Sequence, residues 1–65
     1  MNVVINGKEV TVPDGLTVTE LMRVRDVPQM LVVELNGTIL ERRKCHTTLV
    51  EEDDQIEFID RMGGG

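Results

Sequence analysis

This sequence has little with which to build an active site. It holds one cysteine, one histidine and one phenylalanine in 65 residues. A single cysteine excludes an internal disulfide framework and any cysteine-rich zinc site. Basic residues are also scarce: seven Lys and Arg stand against twelve Asp and Glu, a net charge of −5. That balance argues against a phosphate-tracking nucleic-acid binder and against attachment to an anionic membrane surface. No run approaches the ~18 apolar residues of a membrane span, and Met1-Asn2-Val3 lacks the charge of a secretory n-region. The expected location is therefore cytoplasmic. What is present is a hydrophobic content of 40%, too high for disorder at this modest charge. A chain of this length makes one small domain, which buries only ~60% of its unfolded surface. One compositional oddity remains. Of six glycines, three are the last three residues.

The chain divides into short elements with clear punctuation. Asn2-Val3-Val4-Ile5 and Lys8-Glu9-Val10-Thr11-Val12 flank Asn6-Gly7. Two β-rich runs around Asn-Gly predict a hairpin, because both turn residues tolerate positive φ. Pro13-Asp14-Gly15 stops the second strand. Thr17-Val18-Thr19-Glu20 then fits a capping box, with Leu16 before it to staple onto Leu21. Leu21, Val24 and Val18 are expected on one face of a helix of two to three turns, with Met22 beside them. Asp26-Val27-Pro28 ends it, since the residue before proline avoids the helical region. A second hairpin follows: Leu31-Val32-Val33-Glu34-Leu35, Asn36-Gly37, Thr38-Ile39-Leu40. Residues 41–48 read as an irregular crossing with a single helical turn. Leu49-Val50 is expected to re-enter the core, Glu51-Glu52-Asp53-Asp54 to turn, and Gln55-Ile56-Glu57-Phe58-Ile59 to form the last strand. One helix covering one face of a mixed four- to five-stranded sheet is the economical arrangement, an α+β fold.

Few residues offer chemistry. Cys45 and His46 are neighbours in sequence, and neighbours on an extended segment point to opposite faces. A nucleophile and its base must lie within hydrogen-bond reach, so the expectation is a small apolar cysteine and a solvated histidine. Glu51-Glu52-Asp53-Asp54 lacks the alternating spacing and the glycine of a calcium loop, and reads as a solvated turn. Arg42-Arg43-Lys44 is a short basic run, either a solvated loop or a contact for a phosphate or an acidic surface. No metal site and no bound cofactor are expected.

The end of the chain differs in kind. Residues 1–60 are expected to form the body and 61–65 a flexible glycine-rich tail. Glycines without Cβ atoms thread where side chains do not fit. Arg61 to Gly65 spans ~17 Å when extended. Its α-carboxylate, with a pKa of ~3.5, is ionised at neutral pH and can attack the α-phosphate of ATP inside a partner enzyme. The chain would then be the substrate, not the catalyst.

Several features carry a resemblance. They are Leu16-Thr17-Val18-Thr19-Glu20-Leu21 after Gly15, Val33-Glu34-Leu35-Asn36-Gly37-Thr38-Ile39-Leu40 with Arg42 just after it, Leu49-Val50-Glu51-Glu52-Asp53-Asp54-Gln55-Ile56-Glu57, and the terminal Gly64-Gly65. In this order the chain resembles the ThiS/MoaD family of ubiquitin-like sulfur carriers over essentially its whole length, most closely the thiamine-biosynthesis branch. The resemblance implies a β-grasp fold. It implies adenylation of Gly65 by an E1-like (ThiF-type) enzyme with ATP, and conversion to a thiocarboxylate by a sulfur donor system. Transfer of the sulfur to a thiazole synthase (ThiG-type) would follow, with Gly63 and Gly64 giving the terminus passage. Sister carriers serve molybdopterin or cysteine synthesis, and ubiquitin-like modifiers share the activation step. Three positions depart from the family pattern: Glu41 and Cys45 stand where a proline and an aromatic are common, and Asp53 replaces the usual glycine of the acidic turn.

Alternation adds a surface. If Val3, Ile5, Val33, Leu35, Ile56 and Phe58 face the helix, then Val4, Val32 and Ile59 face away. With β-grasp strand order these three are expected on neighbouring strands near the tail. Together with Met62 they form the expected partner-binding patch.

Overall fold

The computed structural model describes residues 1–60. Its elements are β1 (Asn2–Ile5), β2 (Lys8–Thr11), α1 (Val18–Val24), β3 (Val32–Leu35), β4 (Thr38–Leu40), a 3-10 turn (Arg42–Lys44) and β5 (Gln55–Ile59). Both Asn-Gly turns have positive φ at both central residues: 49° and 83° at Asn6 and Gly7, 52° and 86° at Asn36 and Gly37. This is the geometry whose twist matches the flanking strands.

The helix is short but fully capped. Thr17 Oγ1 accepts from the Glu20 amide, and Glu20 Oε1 accepts from the Thr17 amide at 2.9 Å. At the other end, Asp26 takes φ 57°, its amide reaches the Arg23 carbonyl, and the Val27 amide reaches that of Met22 at 2.8 Å. These two bonds make a Schellman motif with aspartate in the left-handed position. Seven residues cannot hold a helix alone, so its stability comes from the sheet beneath it.

The five strands form one sheet in the order β2-β1-β5-β3-β4. β1 and β5 run parallel and every other pair is antiparallel. One helix on this mixed sheet is the β-grasp architecture. The core is Val3, Val12, Val18, Leu21, Met22, Val33, Cys45, Val50, Ile56 and Phe58, with Ile5 and Leu35 packed at its margin. All six strand residues expected toward the helix therefore lie in or against the core.

Two expectations about packing are corrected. Val24 is 55% exposed, because the buried helix face runs through Val18, Leu21 and Met22, and Val24 lies off that stripe. Leu49 is 58% exposed beside buried Val50, since adjacent residues on extended chain cannot both face inward. Among the described residues no helix is long and apolar enough to cross a membrane.

Candidate functional site

Among the described residues no element packs over the sheet face turned away from the helix, and the residues on that face are fixed by register. Directly paired residues share a face. Val32 stands opposite Ile59, Glu34 opposite both Glu57 and Ile39, Val4 opposite both Glu9 and Gln55. The face therefore reads as three rows. Ile59 and Val32 lie nearest the C-terminal end of β5. Glu57, Glu34 and Ile39 come next, and Gln55, Val4 and Glu9 are furthest away.

This register corrects one expectation. Val4 is on a strand neighbouring β5 but at the far end of the sheet, because the parallel pairing sets it against Gln55, the first residue of β5. At ~3.3 Å per residue that is ~13 Å along the strand from Ile59. Only Val32 and Ile59 form an apolar pair at the tail end, and both are half-buried. Ile39 on the same face is 56% exposed. Sequence reading missed it, although alternation from Leu40 was a sufficient signal. Met62, Gly63, Gly64 and Gly65 lie outside the described residues.

Among the described residues the acidic row has no compensating charge. The strands place Glu9, Glu34 and Glu57 on this face and no Lys or Arg. A shallow notch of about 170 Å³ opens beside the two glutamates, lined also by Val4, Gln55, Gly7 and Gly37.

A larger cavity of about 420 Å³ lies between the helix, the start of β3 and the 3-10 turn, with Thr19, Met22, Leu31, Cys45 and His46 in its lining. Its polar groups serve the fold. Arg42 donates to the carbonyls of Gln29 and Met30, the latter at 2.8 Å, and so ties the 3-10 turn to the chain entering β3. Arg43 pairs with Glu41 at 3.2 Å on the surface. The Cys45 thiol is buried and contacts the Glu41 carbonyl at 3.7 Å. Burial pushes its pKa up, and the nearby Arg42 charge only partly offsets this. His46 is exposed and shares a 3.3 Å hydrogen bond with Thr19 Oγ1. The two residues thus direct their polar atoms to different partners, and a thiol held in its neutral form is a poor nucleophile.

The acidic turn is likewise occupied with the backbone. Glu52 Oε1 accepts from the Asn2 amide at 3.0 Å, and Asp54 Oδ2 from the Glu51 amide at 2.8 Å. Asp54 Oδ1 accepts from Asn36 Nδ2 at 3.0 Å. Among the described residues, no group of three His, Cys, Asp or Glu side chains is placed to hold a metal ion.

Known proteins share this fold. The crystal structure of the thiamine biosynthesis protein ThiS from Geobacter metallireducens matches with a TM-score of 0.87 at 45% identity, covering all of both chains. The NMR solution structure of a thiamine biosynthesis protein from the same organism matches with a TM-score of 0.79 at 43% identity, over all of this chain and 88% of that one. The uncharacterized protein ycf40 of Porphyra purpurea is 29% identical over 66 residues, covering all of this chain and 93% of its own length. The ThiS family model matches residues 2–65, and the chain belongs to the ThiS family.

Proposed function

We propose that this protein is a cytoplasmic sulfur carrier for thiamine (thiazole) biosynthesis, charged at the carboxylate of Gly65. The observation that carries the reading is the likeness, over the whole length of both chains, to a thiamine biosynthesis protein, in a sequence that ends Gly63-Gly64-Gly65. The body, residues 1–60, supplies no nucleophile–base pair of its own. It presents the tail to larger enzymes.

The chemistry follows from an ionised carboxylate. An oxygen of Gly65 attacks the α-phosphate of ATP in an E1-like (ThiF-type) enzyme, and pyrophosphate leaves. Hydrosulfide delivered by a donor system attacks the acyl carbon of the adenylate, AMP departs with the oxygen it holds, and after loss of the proton a thiocarboxylate remains. A thiazole synthase (ThiG-type) takes that sulfur. Glycines at 63 and 64 let the terminus pass where a Cβ would obstruct it. In this reading Val32 and Ile59 on the open face, with Met62 beyond the described residues and Val4 at the far end, dock these enzymes.

Mass spectrometry after incubation with an adenylating enzyme of this type, ATP and a sulfur donor tests the proposal. Replacement of one terminal oxygen by sulfur is expected, and deletion of Gly65 should abolish it while leaving the fold intact. Attachment to lysine would assign a protein modifier instead. Absence of any ATP-dependent change would leave an interaction module with an inert tail.

A further inference from the structure

We propose that Glu34 and Glu57 form the electrostatic half of the docking face, and that they receive an arginine or lysine from the surface of the adenylating enzyme. The inference rests on the carrier reading above and specifies what that enzyme must present.

The first observation is the pairing itself. Glu34 and Glu57 stand directly opposite in the antiparallel β3–β5 pair, so their Cβ atoms are separated by ~5 Å. Like charges opposite one another weaken a sheet. Among the described residues neither carboxylate has an ion-pair partner; the salt bridges go to Asp14 and Glu41. A domain of 65 residues has little stability to spare. An unfavourable pair at the centre of its sheet is the kind of local conflict that marks a functional surface.

The second observation is the surroundings. Glu9 lies on the same face, and among the described residues the strands place no Lys or Arg there, so the charges they contribute have one sign. The notch beside the pair has Val4 in its lining and is flanked by Gly7 and Gly37, which have no side chains to fill it. A long cationic side chain suits such a place: its methylenes lie on the valine and its head meets the two carboxylates. Two carboxylates side by side match the donor fork of arginine best.

The third observation is position. The acidic row is two residues from Ile59 along β5, ~7 Å. Val32 and Ile59 give apolar area, and area alone orients poorly. A cation held at the next row fixes the rotation and register of the body against the enzyme. Charge complementarity of this sort sets encounter rate and orientation more than final affinity.

The test compares the wild type with the Glu34→Gln/Glu57→Gln variant as substrates in ATP–pyrophosphate exchange, at low and high salt. The glutamines keep the shape and remove the repulsion, so the variant should melt at a higher temperature. Its KM as carrier should rise about tenfold or more at low salt with kcat unchanged, and the difference should shrink at high salt. The Glu34→Lys/Glu57→Lys variant should be charged more slowly still. If the wild type is charged and the glutamine variant has the same KM and salt dependence, the inference is overturned and the carrier reading stands. If the wild type is not charged at all, the carrier reading fails and takes this inference with it.

Discussion

Asn6 Oδ1 accepts a hydrogen bond of 2.9 Å from the amide of Phe58, a residue 52 positions further along the chain. The same asparagine donates its own amide to the Ile56 carbonyl at 2.9 Å. Its counterpart in the second hairpin behaves alike: Asn36 Oδ1 accepts from the Gln55 amide, and the Asn36 amide donates to the Gln55 carbonyl. Each hairpin turn therefore also clamps β5, one from either side.

Replacing Asn6 with glycine separates these roles. Glycine accepts the φ of 49° but removes the side-chain acceptor, leaving the half-buried Phe58 amide unsatisfied. Urea unfolding should show a loss of about 1–3 kcal/mol. A loss below about 0.5 kcal/mol would mean that the clamp contributes nothing beyond an ordinary turn.

The capping box gives a pH signature. Hydrogen bonds from the Thr17 amide and hydroxyl, the amide first, hold the Glu20 carboxyl below its ordinary pKa of 4.5. A lowered folded value means that Glu20 adds stability above 4.5 and loses it as pH falls through the lower folded value. The melting temperature of wild type should thus drop more steeply below pH 4.5 than that of Glu20→Gln. Parallel curves for the two proteins would refute the assignment. Thr17→Ala should cost about 1 kcal/mol at neutral pH.

Asp53 offers a gain. It adopts φ 68° in the acidic turn while its amide donates to the Asn2 carbonyl at 2.7 Å. Left-handed backbone strains an L-residue, mildly for aspartate, and glycine removes the strain at some cost in unfolded-state entropy. Asp53→Gly should raise stability by about 0.5 kcal/mol, a few degrees in melting temperature for a domain of this size. A lower melting temperature would show that the aspartate side chain itself supports the turn.

The apolar pair is tested by charge. Val32→Asp with Ile59→Asp, in a variant that retains the wild-type circular dichroism, should raise KM in the activation assay about tenfold or more. That is the effect expected when an anchoring contact worth about 1.4 kcal/mol is lost. Unchanged activation would move the docking surface elsewhere on the molecule.

Element boundaries were legible because the punctuation was local. Asn6-Gly7, Asn36-Gly37 and the Thr17–Glu20 box each act through their own backbone, and all three mark the ends of elements in the structure. Strand order was not legible from periodicity, since alternation says which face a residue takes and nothing about its neighbours. The order came from resemblance. That is also why Val4 was grouped with Val32 and Ile59: all three share a face, but only register reveals that Val4 sits against Gln55. A two-turn helix offers too few residues to separate a step of three from a step of four, so periodicity does not place Val24 off the buried stripe. The second role of Asn6 and Asn36 left no local trace, as both partners lie on a strand remote in sequence.

The central position of β5 has a consequence for how the molecule is made. The two hairpins, β1–β2 and β3–β4, are local and form on the microsecond scale. Nothing joins them into one sheet until the last strand arrives between them. Until Gln55–Ile59 is available the protein is therefore two hairpins with facing open edges, an aggregation-prone arrangement. A chain stopped short of Gln55 lacks the strand that joins the two hairpins into one sheet. The two halves of the sheet thus depend on a strand that follows both of them in the chain.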